Sequence, residues 1–170
     1  MADQAATVTM NGNPLPLCGP APAVGQKAPD FEVLGNDLSP VTLKDLTGQV
    51  LVLASVPSLD TDVCSLEAKH FNDEAAKLTN TKLATISMDL PFAQKRWADE
   101  NEVSSILTLS DHRAASFGKA YGVLIEPLRL LARTVFVLDK AGVVQLVHIV
   151  PEITDEPDYE LVLNKVRELA

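Results

Sequence analysis

The stretch Gln49-Val-Leu-Val-Leu-Ala-Ser-Val56-Pro57-Ser-Leu-Asp-Thr61-Asp62-Val-Cys64-Ser-Leu66 decides the fold. Between Val50 and Val56 it is apolar apart from Ser55, the pattern of a strand buried on both faces of a sheet. Pro57 ends that run, because its ring nitrogen carries no N–H for a sheet ladder. Beyond it, Cys64, Ala68, Phe71, Ala75 and Leu78 recur at the spacing of one helix face. The segment therefore predicts a buried strand, a loop, and a helix over 62–78 with Cys64 in its first turn.

Reading outward, strand and helix alternate. Lys82–Met88 predicts a second strand, and Pro91 opens a helix to about Glu100 with proline at its first position. Ile106–Leu109 predicts a short strand, followed by a helix from about Arg113 to Ala120. Arg133–Leu138 and Val143–Ile149 flank the turn Asp139-Lys-Ala-Gly142, and Tyr159, Val162, Leu163, Val166 and Leu169 form one face of a last helix. Upstream, Asn11-Gly12 between two short runs predicts a hairpin, since both residues tolerate positive φ. Pro14 and Pro16 confine its second arm to an edge. A Pro/Gly-rich connector then leads to a short strand at Phe31–Leu34. Parallel strands joined by helices, then an antiparallel hairpin and a final helix, predict an α/β fold: a mixed sheet covered on both sides. Residues 1–170 read as one domain, with the hairpin within 1–18.

At 170 residues, 46% hydrophobic and 22% charged, the chain is long enough for a core and too apolar for disorder. Fourteen Lys and Arg against twenty-three Asp and Glu leave a net charge of −9, which repels phosphate backbones and anionic lipid. Neither a nucleic-acid nor a membrane partner is expected. No apolar run reaches the about 20 residues of a membrane span. Met1–Met10 lacks the basic start and apolar middle of a secretory signal, so a cytoplasmic location is expected. Two cysteines are too few for a disulfide scaffold or a Cys-based zinc site, and leave thiol chemistry in a reducing compartment open. His70, His112 and His148 lack metal-site spacing, and no glycine-rich phosphate loop exists, so no cofactor or metal is expected. The acidic run Glu152, Asp155, Glu156, Asp158, Glu160 reads as the solvated start of the last helix.

Cys64 is the residue with chemistry to offer. Free N–H groups and the positive dipole end in a first helical turn favour a thiolate. Two readings stand from the residues alone: a small buried hydrophobe, or a reactive thiol at a strand–loop–helix junction. Thr61 alone reads as an N-cap, and Arg133 alone as a surface charge at the start of a strand.

The spacing Pro57-x-x-x-Thr61-x-x-Cys64 resembles the active-site motif of peroxiredoxins, and Pro-Ser-Leu-Asp-Thr-x-Val-Cys is similar to the bacterial thiol peroxidase branch of that family. Further strings in register extend the likeness along the chain: Val24–Phe31, Asp89–Arg96, Leu131–Asp139 and Pro151–Tyr159. The resemblance implies a thioredoxin-like sandwich with an N-terminal β-hairpin, and thiol-dependent reduction of hydrogen peroxide and alkyl hydroperoxides. It implies that Cys64 is the peroxidatic thiolate that becomes a sulfenic acid and that Thr61 holds the peroxide. Arg133 would stabilise thiolate and leaving oxygen, and Pro57 would shield the pocket. A homodimer, and thioredoxin or another thiol as reductant, are implied as well.

Three positions depart from the family pattern. Ala98 stands where the resolving cysteine usually falls, through a natural one-cysteine mechanism, a substitution, or a transfer of the role to Cys18. Cys18 is expected to be structural, with only a weak claim as the resolving thiol. Asp62 replaces an uncharged residue two places before Cys64, and a close carboxylate there opposes thiolate charge. Asp62 and Ala98 favour a rival reading, a peroxide sensor or redox-binding protein with little turnover. A thiol-disulfide oxidoreductase is disfavoured, since there is no Cys-x-x-Cys.

Overall fold

The apolar run ending at Val56 becomes an interior strand of a seven-stranded sheet in the computed structural model, which describes residues 6–170. The elements in chain order are β1 (Thr7–Met10), β2 (Asn13–Pro16), β3 (Glu32–Leu34), β4 (Pro40–Thr42), α1 (Leu43–Leu46), β5 (Val50–Ser55), α2 (Asp62–Ala75), β6 (Thr81–Ser87) and α3 (Pro91–Glu100). They continue with β7 (Leu107–Ser110), α4 (Ser116–Ala120), β8 (Leu124–Ile125), β9 (Leu130–Leu131), β10 (Thr134–Leu138), β11 (Val144–Ile149) and α5 (Tyr159–Leu169). The main sheet has the order β11-β10-β5-β6-β7-β3-β4. β5, β6 and β7 run parallel, while β10 lies antiparallel to both β5 and β11. This is the expected mixed sheet, and it is covered on both sides.

Strand alternation assigns the two cores. Val50, Val52 and Ala54 of β5 join Val135 and Val137 of β10, together with Ala68 and Phe71 of α2, Trp97 of α3 and Val162 and Val166 of α5. Leu51, Leu53, Phe136 and Leu138 point the other way, towards Phe31, Phe117 and Tyr121. Both faces are dry, so the strands lack polar alternation. The hairpin β1–β2 forms its own two-stranded sheet and docks through buried Val8 and Leu17 on the second core. Its turn is Asn11-Gly12, with φ of 50° and 82°. The first five residues of the expected 1–18 hairpin segment lie outside the described residues.

Several boundaries differ from the sequence expectation. α2 ends at Ala75 rather than Leu78, and the N–H groups of Lys77 and Leu78 bond three residues back, to Glu74 and Ala75. Leu78 still packs on the core, so the apolar period outlasts the helix. α4 begins at Ser116 rather than 113, because the Asp111 carboxylate accepts the N–H groups of Phe117 and Gly118, with Ala115 at a left-handed φ of 50°. β4, α1, β8 and β9 were not expected. The signal for α1 was nonetheless present, since Thr42 donates its N–H and hydroxyl to the Asp45 carboxylate three residues on.

Leu53 is fully buried mid-sheet. Its replacement by Ala is expected to lower unfolding free energy by about 2–5 kcal/mol, read from urea denaturation. A loss well under 1 kcal/mol would place the strand differently.

Candidate active site

The loop between β5 and α2 is held from the neighbouring strand. Asp89, just past β6, accepts the Ser58 hydroxyl at 2.7 Å on one oxygen. On the other it accepts the Leu59 N–H at 2.8 Å and the Ser87 hydroxyl at 2.6 Å. Ser110 donates to the Asp89 carbonyl at 2.5 Å, which ties the end of β7 to the same point. Pro57 is buried at the start of this loop. Thr61 occupies the N-cap position of α2 with extended backbone, but its hydroxyl donates back to the Ser58 carbonyl at 3.0 Å instead of capping the helix. The N-cap expectation thus holds for its backbone and fails for its side chain.

Cys64 lies in the first turn of α2 with no exposed surface. Arg133, one residue before β10, is 1% exposed, which overturns its reading as a surface charge. Its Nη2 donates to Cys64 Sγ at 3.3 Å and to the Ile153 carbonyl at 2.8 Å. Nε donates to the same carbonyl at 3.0 Å, and Nη1 pairs with Glu67 Oε2 at 2.5 Å. A buried guanidinium without partners would cost several kcal/mol. Burial opposes its charge, but Glu67 and then Cys64 outweigh that, so the Arg133 pKa is pushed up. Burial likewise pushes the Glu67 carboxyl up to about 7 against the pull of Arg133, and Glu67 Oε1 has no hydrogen-bond partner.

A cleft of about 140 Å³ opens beside this group, with Pro57, Thr61, Val63 and Arg133 among its lining. Met10 of the hairpin and Ile153 complete an apolar wall, and exposed Asp62 also borders the cleft. The structure therefore brings Pro57, Thr61 and Arg133 to one cleft, and Cys64 reaches it through its bond to Arg133.

Cys18 does not join them. Half-buried, it donates to the Gly118 carbonyl at 3.4 Å and packs on the core opposite that of Cys64, with the sheet between them. Ala98 is buried in the Cys64 core, next to Trp97, whose indole N–H donates to Ser65 of α2 at 3.1 Å. Glu67, Asp89, Met10 and the Ile153 carbonyl were missed by sequence reasoning. Glu67 had a signal, three residues after Cys64 on one helix face, whereas a main-chain acceptor leaves none. Among the described residues no three His, Cys, Asp or Glu side chains gather as a metal site.

The Redoxin family model matches residues 23–163. The chain belongs to the redoxin family. A thiol peroxidase of Halalkalibacterium halodurans is 52% identical over 162 residues, covering 95% of this chain and 98% of the relative. One of Bacillus subtilis is 48% identical over 164 residues, covering 96% and 98%. Among solved structures, a peroxiredoxin-like protein from Aquifex aeolicus superposes with a TM-score of 0.92 at 44% identity, covering 98% of this chain and 99% of that one. A thiol peroxidase from Chromobacterium violaceum, at 24% identity and a TM-score of 0.87, shares the fold over 95% of each chain. The peroxiredoxin resemblance and the thioredoxin-like sandwich with its hairpin both hold.

The raised Glu67 pKa has a sign. Between the usual carboxylate value and about 7 the folded state binds the extra proton, so Glu67 makes stability fall as pH rises through that window. Glu67→Gln is expected to flatten this slope in urea denaturation at pH 5 and pH 7. An unchanged slope would assign the proton elsewhere.

Proposed function

We propose that Cys64 is the peroxidatic nucleophile of this redoxin, working with Thr61, Arg133 and Pro57. The chain is a thiol-dependent peroxidase of the peroxiredoxin type, which takes peroxide as substrate and a thiol as reductant. The observation that carries the assignment is the Arg133 Nη2 contact at 3.3 Å on a sulfur in the first turn of a helix. The Cys64 thiolate attacks one peroxide oxygen. An S–O bond forms, the O–O bond breaks, and its electron pair leaves on the other oxygen, which takes back from solvent the proton the thiol gave up on ionising and becomes water or alcohol. Arg133 stabilises the sulfur before the step and the departing oxygen during it. Thr61, bordering the cleft, accepts the peroxide O–H while its own hydroxyl goes on donating to the Ser58 carbonyl. Pro57 keeps water from the sulfur.

The sulfenic acid returns to thiol by consuming two reductant thiols, which leave as a disulfide and water. With Ala98 in α3 and Cys18 across the sheet, those thiols come from outside the chain, from thioredoxin or a small thiol. Residues 1–170 act as one domain, in a homodimer in the cytoplasm. The sensor reading is not favoured beside relatives at about half identity that are named as peroxidases.

Treating the reduced protein with one equivalent of hydrogen peroxide and a sulfenic-acid trap tests this by peptide mass. The adduct is expected on Cys64 with Cys18 untouched. A Cys18–Cys64 disulfide peptide, two hydrogens lighter, would overturn the external-thiol route. An unmodified Cys64 would overturn the assignment itself.

A further inference from the structure

Within the acidic run at the start of α5, Asp158 caps the helix, accepting the Leu161 N–H at 3.0 Å. Glu152 instead reaches the N-terminal hairpin. Its Oε1 accepts the Gly12 N–H at 2.8 Å and the Thr9 hydroxyl at 3.1 Å. Its Oε2 accepts the Asn11 N–H at 3.2 Å and, from its own segment, the N–H and hydroxyl of Thr154 at 3.1 and 2.8 Å. The Asn-Gly turn thus offers consecutive main-chain N–H groups to one carboxylate, an anion-accepting concavity built into a tight turn. The main chain continues the join, since Thr9 N–H donates to the Pro151 carbonyl at 2.7 Å and Ile153 N–H to the Thr9 carbonyl at 2.9 Å.

The two segments joined this way both belong to the cleft. Ile153 carries the carbonyl that accepts two of the Arg133 hydrogen bonds, and Met10, next to Thr9, forms part of the apolar wall. We propose that Glu152 is a positioning residue of the peroxidase: it fastens the hairpin turn to the 151–154 segment, making the hairpin a wall of the peroxide cleft and fixing the carbonyl on which Arg133 rests. The inference rests on the peroxidase reading above and adds a determinant of substrate discrimination. Hydrogen peroxide needs only the Arg133 end of the cleft, whereas the organic part of an alkyl hydroperoxide lies along the Met10 side. The Gly12 N–H, with the Thr154 and Thr9 donors, holds the Glu152 carboxyl down to about 2, so the clasp stays charged through the neutral range.

Single-turnover rates of Cys64 oxidation by hydrogen peroxide and by cumene hydroperoxide test this in wild type, Glu152→Ala, Glu152→Gln and Met10→Ala. Glu152→Ala is expected to slow both reactions and to shift the ratio of the two rates against cumene hydroperoxide by at least about threefold, the scale of a lost small apolar contact. Met10→Ala should shift the ratio the same way. Glu152→Gln, which retains one carbonyl oxygen for the turn, should fall between wild type and Glu152→Ala, and it serves as the test variant if Glu152→Ala does not fold. A folded Glu152 variant with a lowered melting temperature but the wild-type ratio would make Glu152 merely structural and overturn the proposal. A wild-type Cys64 inert to both peroxides would instead defeat the peroxidase reading, an outcome visible before any variant is compared.

Discussion

The buried guanidinium of Arg133 organises this molecule. Arg133 sits at 1% exposure with its donors divided between a sulfur, a carboxylate and a main-chain carbonyl. Those acceptors come from α2 and from the segment after β11, so the helix, the sheet and the C-terminal loop meet at one guanidinium. A flexible ammonium could not satisfy the three together, because the planar fork of arginine sets the directions of its donors. Removing any acceptor would leave buried charge or a buried N–H without a partner, each costly in a dry interior.

The rest of the fold serves that arrangement. β5 and β10 pair in register from Ser55 against Thr134, which sets Arg133 beside the end of the strand that feeds α2. Both faces of that pair are apolar and covered, so the ion group sits where water does not screen it. Asp89 then fixes the loop that carries Pro57 and Thr61 to the neighbouring strand, and Glu152 fixes the hairpin to the far side of the cleft. The Cys64 sulfur is thus placed by long-range contacts as well as by its helix.

The sequence was most legible where one physical rule dominated. The apolar run before Pro57 and the first-turn place of Cys64 both follow from periodicity and backbone chemistry, and both stand in the structure. Arg133 was legible only through family resemblance. By itself it is a charge at a strand start, and nothing local says that its partners lie 66 and 69 residues away. Glu152 was misplaced for the same reason, since its donors in the hairpin are about 140 residues distant in sequence. Short elements such as β8 and β9 follow from tertiary pairing of two residues each, too few for any pattern to emerge.

The most direct test of the central role of Arg133 is the stopped-flow rate of Cys64 oxidation by hydrogen peroxide in wild type and Arg133→Lys, with folding checked by circular dichroism. Lysine keeps the charge and loses the fork, so the account predicts a folded variant slowed on the order of 100-fold, the scale of losing one oriented donor at a developing oxyanion. A folded Arg133→Lys protein oxidised at the wild-type rate would contradict it, leaving the guanidinium as packing and the helix start as the source of reactivity.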